Sequence, residues 1–285
     1  MGRKKRAVKP LETIWEVSDE LWAKIEPILL EDAPPPPPAK GGRKRTDWRA
    51  AFNGVIFRMR SGCQWNRLPE RLGDDSSVHR WFQRWNKNGV MEKIWAVLVE
   101  DCGELGGVLW EWQSADVAMG KARFGGAEVG PNPTDRGKNG VKRSVIVDQD
   151  GGPLGAVIAG ANVHDAKLLA ATIEAIVVDR PEPTPEAPQH LCLDKGYDNP
   201  TGREAASAKG HTPHIRRIGE EKGGKAREKK HRPRRWVVER THSWLSKCRA
   251  ILVRYDRNSF NYLGLIQLAC GLLWYRRLHR LQAET

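Results

Sequence analysis

Three acidic residues, Asp116, Asp194 and Glu239, stand where the chain passes from an apolar strand into a turn or opens an amphipathic helix. Carboxylate oxygens suit hard divalent ions such as Mg²⁺ or Mn²⁺. Two such ions about 3.5–4 Å apart can clamp both the attacking and the leaving oxygen of a phosphoryl transfer. The chain has 35 Asp and Glu residues, so three of them prove nothing unless the intervening elements bring them together.

Those elements begin at Gly107, where the pattern turns from helical to alternating. Trp110, Trp112, Ser114 and Asp116 fall on one side of an extended segment, because side chains alternate faces along a strand. Lys142–Asp148 and Pro153–Gly160 are two β-branched runs joined by a Gly-rich turn, which predicts a hairpin. The spacing of Leu168, Leu169, Ile173 and Ile176 predicts a helix over 164–178. A short buried strand then ends at Asp194, a helix is expected near 201–209, another strand at 211–217, and a long helix over 235–251. Strand, hairpin, helix, strand, helix, strand, helix is the order of an RNase H-like α/β fold with a mixed sheet. In that fold the first and fourth strands are neighbours, so Asp116 and Asp194 converge while the closing helix lays Glu239 across the same edge. On this helix Arg235, Glu239, His242, Ser246 and Arg249 share one face and Val237, Thr241, Trp244, Leu245, Cys248 and Leu252 the other. Glu239 should therefore point away from the core, and His242 reads as a surface or DNA-facing histidine. Asp135, Asp148 and Asp198 read as turn or capping residues, and His164-Asp165 as a pair that could approach the site.

The first hundred residues are helical. Ser18 should cap a helix carrying Leu21, Trp22, Ile25, Ile28 and Leu29, and Thr46 or Asp47 one carrying Ala51, Val55, Ile56 and Met59. Between them five consecutive prolines followed by a Gly- and Arg-rich stretch mark a stiff linker near 34–45. Asp75 or Ser76 should cap a third helix with Val78, Trp81, Phe82 and Trp85 inward. Its outward residues His79, Arg80, Gln83, Arg84 and Lys87 are DNA-contact candidates, the layout of a helix-turn-helix reader. The organisation is thus an all-α domain over 1–104 and an α/β domain over 105–285.

Lys and Arg outnumber Asp and Glu 48 to 35, for a net charge of +13 and a pI near 9.7. Such a balance attracts a polyanion, with double-stranded DNA the leading partner. Residues 216–235 carry ten Lys/Arg against three acids and read as a loop that orders on phosphates, with Lys229, Lys230 and Arg232 as contacts. No apolar run reaches the length of a membrane helix, and the basic start lacks a signal peptide's apolar stretch, so the protein is expected in the cytoplasm. Five scattered cysteines without a CxxC pair predict neither disulfides nor a zinc knuckle.

WQSADVAMGKA, GPNPTDRGKNGVKRS, GANVHDAKLL, HLCLDKGYD and RRWVVERTHSWLSKCRAILVRYD, in this order, resemble the DDE transposases of the fifth family of bacterial insertion sequences. The N-terminal VSDELWAKIEPILL, GGRKRTDWRAAFNGVIFRMRSGCQWNRLP and SSVHRWFQRW resemble the helical region that precedes the catalytic domain in these proteins. The resemblance implies that Asp116, Asp194 and Glu239 are the catalytic triad holding two Mg²⁺ (or Mn²⁺) ions. It implies hydrolysis at the terminal inverted repeats, joining of the freed 3′-OH to target DNA, and a homodimer on paired ends. The family's signature places a Tyr seven residues before the Glu, an Arg four before and a Lys seven after; here Arg232, Arg235 and Ser246 occupy those places, with Lys247 one residue on. Arg235 and Lys247 join the DNA-contact candidates. A nuclease of the same fold that cuts without joining, or a DNA-binding protein that has lost catalysis, are the alternatives.

Overall fold

The computed structural model describes residues 11–34, 46–215 and 236–284. Lys229, Lys230, Arg232 and Arg235, and the linker beyond Pro34, lie outside the described residues. Four helices come first: α1 (Asp19–Glu31), α2 (Trp48–Ser61), α3 (Asp75–Lys87) and α4 (Val90–Glu104). Ser18 accepts a hydrogen bond from the Leu21 amide and Asp47 from the amides of Arg49 and Ala50, so both caps sit where side-chain oxygens meet orphan helix-start amides. The third cap is Asp74, one residue before the expected pair, because its carboxylate reaches the Ser77 amide at 3.0 Å while Asp75 is already helical. Two short 3₁₀ turns, Trp65–Arg67 and Glu70–Leu72, link α2 to α3.

The second half forms a seven-stranded sheet: β1 (Trp112–Ala122), β2 (Gly130–Pro131), β3 (Asn139–Val147), β4 (Pro153–Gly160), β5 (His190–Leu193), β6 (Thr212–Ile215) and β7 (Val253–Arg254). β1 runs antiparallel to β3 and β3 to β4, as the hairpin reading requires. β5 lies parallel to β1 on its other side, with β6 parallel beyond it. The order β4-β3-β1-β5-β6 is that of the RNase H-like fold, and it makes β1, the strand of Asp116, the centre of the sheet.

Two helices are shorter than their spacing predicts. A 3₁₀ turn at Asp165–Leu168 leads into α5 (Leu169–Glu174), which stops because the Val177 amide bonds to the carbonyl of Leu154 and Ile176 bridges Gly155. Backbone pairing with the edge strand β4 outcompetes the last helical turn. α6 (Pro200–Ala208) falls where expected. The closing helix is divided into α7 (Trp236–Ser246) and α8 (Arg249–Leu252), broken at Lys247–Cys248. The break steers the chain into β7, whose Val253 and Arg254 pair with Lys121 and Ala122 at the far end of β1.

α9 (Ser259–Glu284) joins the halves. It packs along α4, and one apolar cluster runs without interruption from Leu21 and Phe52 through Trp95 and Trp274 to Val145 and Leu191. The indole N–H groups of Trp95 and Trp274 both donate to the carbonyl of Pro153, at 3.0 and 2.5 Å, fastening both helices to the start of β4. Gly152 precedes that carbonyl, and a Cβ there would lie 2.4 Å from the Trp274 ring. The five cysteines are free, and among the described residues no helix is long and apolar enough to cross a membrane.

Candidate active site

Asp116 and Asp194 meet through strand register. Trp112, Gln113 and Ser114 of β1 pair in parallel with His190, Leu191 and Cys192 of β5, so two residues further on, Asp116 stands level with Asp194. Asp194 immediately follows β5 and caps a 3₁₀ turn over Lys195–Tyr197, its Oδ1 accepting from the Gly196 amide at 2.8 Å. A Cβ on Gly196 would sit 3.0 Å from that same oxygen, so any side chain there would press on the carboxylate. The Oδ1 of Asp116 accepts from the Val117 amide at 2.8 Å. Both aspartates are half-buried.

The orientation of Asp116 follows from its partner on β3. Asp116 is opposite Val145, and directly opposed residues share a face, as does Arg143 two places away. Arg143 donates to the carbonyl of Ile251 at 2.6 Å and to Ser246 Oγ at 3.3 Å, so this face of the sheet is covered by α7 and α8. Asp116 therefore looks toward the helix that carries Glu239.

His242 makes that docking specific. Its Nε2 lies 3.2 Å from the backbone carbonyl of Asp116, which requires an Nε2–H donor. Burial, with the charge of Arg143 behind it, holds the imidazole down to about 4, so the ring is neutral and Nδ1 is left without a hydrogen-bond partner. The surface or DNA-facing reading of His242 is thus corrected: the residue is 6% exposed and clamps α7 to β1. Helical spacing misleads here because α7 buries a stripe of Val237, Val238, Thr241, His242 and Leu245 that is wider than one face. Glu239, one turn before His242, is exposed, as its face predicts.

Beneath the aspartates lies Tyr197, fully buried, its hydroxyl without a hydrogen-bond partner. Burial raises its phenol above the usual range, and the carboxylates of Asp116, Asp165 and Asp194 add to the effect in that order. Three acids thus lie within electrostatic reach of one hydroxyl. Asp165 is engaged by Lys142, whose Nζ lies 2.6 Å from Oδ1 and 2.7 Å from the Val163 carbonyl. Tyr197, which its place beside Asp194 offers in the sequence as a DNA contact, is instead buried, and sequence reasoning missed Lys142, whose signal was a lysine inside an otherwise apolar strand. Among the described residues no three of His, Cys, Asp and Glu are gathered closely enough to hold a metal ion. Strand register brings Asp116 and Asp194 together, and Glu239 stands on the helix docked beside them with its side chain outward.

The turn acids behave as expected. Asp148 accepts from the Asp150 and Gly152 amides within the β3–β4 turn and is ion-paired with Arg277. Asp198 holds Arg203, and Asp135 lies near Lys121.

On α3 the expected inward residues Val78, Phe82 and Trp85 are buried, with Trp81 partly so. Among the outward five, Arg84 is bound to Asp32 through both its side chain (3.0 Å) and its carbonyl (2.7 Å). His79 is stacked on Trp65 at 4.5 Å and lies 3.2 Å from Gln83, with burial lowering its pKa. Arg80 and Lys87 are exposed. Lys247 is exposed at the break after α7.

Residues 112–274 match a family model described as "Transposase DDE domain", and residues 17–95 one described as "Putative transposase of IS4/5 family". A curated relative from Burkholderia cepacia, "Putative transposase for insertion sequence element IS402", is 36% identical over 55% of this chain and 74% of its own length. The IS402 uncharacterized 16.2 kDa protein of the same organism is 30% identical over 41% of this chain and 80% of its own. The solved Mos1 mariner paired-end complex with Mn aligns over 91% of this chain and 86% of that chain at 12% identity, but its TM-score of 0.27 is too low to bear on the fold. With the catalytic-domain model spanning more than half of its length, the chain belongs to the DDE transposases, enzymes that cleave and transfer DNA.

Proposed function

We propose that Asp116, Asp194 and Glu239 are the catalytic carboxylates of a transposase that binds the terminal inverted repeats of an insertion sequence, hydrolyses the ends and joins the 3′-OH to target DNA. The observation that carries this reading is the placement of Asp116 level with Asp194 on adjacent parallel strands, with α7 clamped to the Asp116 carbonyl by His242. DDE transposases use divalent metal ions. An all-oxygen donor set of two half-buried aspartates and a glutamate fits Mg²⁺ or Mn²⁺ better than softer ions, and two ions are the expected number. Bound there, the ions supply Lewis acidity to the attacking and leaving oxygens of the phosphodiester.

The protein's own residues do the rest. His242 holds the register of α7 on β1, so Glu239 is presented beside Asp116 rather than elsewhere along the sheet. Tyr197 closes the floor with an apolar ring, which keeps water from beneath the carboxylates and strengthens their electrostatics. In the first step a water oxygen bonds to phosphorus and the 3′-oxygen leaves as a hydroxyl. In the second that hydroxyl bonds to a target phosphorus and displaces the target's own 3′-oxygen. Residues 1–104 supply end recognition through the outer face of α3, with Arg80 and Lys87 its accessible cations, and residues 105–285 supply the chemistry. The enzyme works as a homodimer on paired ends, in the bacterial cytoplasm at the nucleoid.

The deciding experiment incubates the full chain with labelled terminal-repeat DNA and a target plasmid in Mg²⁺ or Mn²⁺. Metal-dependent nicking at the repeat end followed by a joined product is expected, with Asp194→Asn abolishing both. A variant that nicks at the parent's rate removes Asp194 from the site. Nicking that never yields a joined product makes the protein a nuclease.

A further inference from the structure

A cavity of about 680 Å³ opens on the flank of α7 that carries Arg240 and Trp244, with Lys247 just beyond the helix end. Its other walls are the extended segment at Leu11–Thr13, the end of α2, the β3–β4 turn and the last turns of α9. Six cations line it: Arg60, Arg240, Lys247, Arg276, Arg277 and Arg280. Asp150 is the only carboxylate among the lining residues.

Among the described residues most of that charge has no carboxylate partner. Arg277 is paired with Asp148. Arg240 lies between the rings of Trp236 and Trp244, 4.8 Å from each, and donates to the Asp150 carbonyl at 2.6 Å. Arg60 donates to the Ile14 carbonyl at 3.1 Å and to Cys248 Sγ at 3.6 Å, and Arg276 to the carbonyls of Glu12, at 2.8 Å, and Leu11. Such neutral acceptors orient a guanidinium and leave its charge intact. Among the described residues none of Arg60, Lys247, Arg276 and Arg280 has a carboxylate at ion-pair distance. Burial and the neighbouring charge of Arg60 both lower the pKa of Arg276, so two guanidiniums lie close together with no carboxylate at ion-pair distance among the described residues. Like charges fixed together in a partly dry recess are costly unless an anion completes them, and rigid guanidinium forks match phosphate oxygens.

The shape favours a strand over a small ion. From Arg240 to the end of α7 at Ser246 the helix rises about 9 Å, close to the axial span of about three nucleotides at about 3.4 Å each, and Lys247 follows directly. Lys247 and Arg280 are exposed and extend the cationic surface beyond the recess. The same helix carries Glu239 in its first turn, one residue before Arg240.

We propose that this cavity is a phosphodiester-backbone site for DNA, in which Arg60, Lys247, Arg276 and Arg280 neutralise phosphates without reading bases and without metal. The proposal rests on the reading of the protein as a transposase acting on DNA. Its test is made in chelator, where no cleavage occurs, so it stands or falls separately from the carboxylates. Binding of the full chain to a random duplex and to terminal-repeat DNA is measured by anisotropy across a salt series for Lys247→Gln, Arg280→Gln and Arg276→Gln. The first two alter exposed side chains and leave the packing alone, while thermal melting checks the third. Each variant is expected to weaken both DNAs equally, several-fold at moderate salt, and to lower the log–log salt slope by about 0.9 for each phosphate it no longer neutralises. The parent's slope in all three variants overturns the proposal. Titration with inorganic phosphate at matched ionic strength separates a free anion from a strand: saturable stabilisation that Arg276→Gln removes, with DNA slopes unchanged, assigns the cavity to a small phosphate and also overturns it.

Discussion

The outer face of α3 and the cavity beside α7 are both rich in cations, yet they differ in what the charges do. On α3, Arg84 is held by Asp32, and His79 is stacked on Trp65 and drawn toward its neutral form by burial. Of the exposed cations there, Arg84 has a carboxylate partner, while Arg80 and Lys87 have none among the described residues. Around the cavity, Arg60, Lys247, Arg276 and Arg280 have no carboxylate partner among the described residues, and the acceptors they use are carbonyls and a thiol. A count of basic residues would rank the two surfaces alike. Counter-ion placement separates them, because a cation already paired in a partly dry setting contributes little net attraction to a phosphate.

The largest effect should come from neither surface. Asp194→Asn or Asp116→Asn, or removal of metal by chelator, should cost cleavage several kcal/mol of transition-state stabilisation, on the order of a thousandfold or more. DNA affinity should stay within about twofold of the parent's, since the binding energy resides in the cations. A parallel loss of affinity, read by gel shift, would show that the carboxylates and the cationic surfaces act as one unit.

His242→Phe is the next test. The substitution keeps an aromatic ring but leaves the Asp116 carbonyl without its donor. Removing a hydrogen bond that orients a metal-site element in this way typically lowers activity or metal affinity by about 10–100-fold. If it acts by positioning, the metal concentration for half-maximal cleavage should rise while DNA binding is unchanged. Cleavage at the parent's rate and metal dependence would remove His242 from the positioning role.

Smaller changes divide the two surfaces. Arg80→Gln with Lys87→Gln should reduce the preference for terminal-repeat over scrambled DNA by a few kcal/mol at most, in the range of about 1–3 kcal/mol for each base-edge hydrogen-bond pair removed, whereas the cavity variants should leave that preference untouched. Competition gel shifts decide it, and equal weakening on both DNAs would make α3 another phosphate surface. Arg84→Gln should do least. Its side chain is 41% exposed and its partner is Asp32, so removal should cost about 0–1 kcal/mol of stability and leave DNA binding near the parent's. A large drop in selectivity on that substitution would mean that Arg84 leaves Asp32 to reach DNA.

Much of the architecture was legible in local patterns. Period-two runs marked β1, β3 and β4, a Gly-rich turn marked their hairpin, and the order of elements gave the sheet topology that places Asp116 beside Asp194. Those features follow from short-range rules, since alternation and turn chemistry are properties of neighbouring residues. Caps were legible to within a residue for the same reason, as Ser18, Asp47 and Asp74 show.

What only tertiary structure decided were the competitions between distant groups. α5 ends early because the edge of β4 offers its backbone better partners, and the closing helix breaks because β7 must reach the end of β1. His242 is buried because α7 lies flat on the sheet and covers more than one helical stripe. The core continuous between α4, α9 and β4 gave no local signal, since Trp95, Trp274 and Pro153 are far apart in the chain. Charge was the least legible property of all: the sequence states that Arg60, Arg84 and Arg276 are cations, but the acceptor beside each one is a matter of long-range packing, and that acceptor determines whether a cation is left to meet a phosphate.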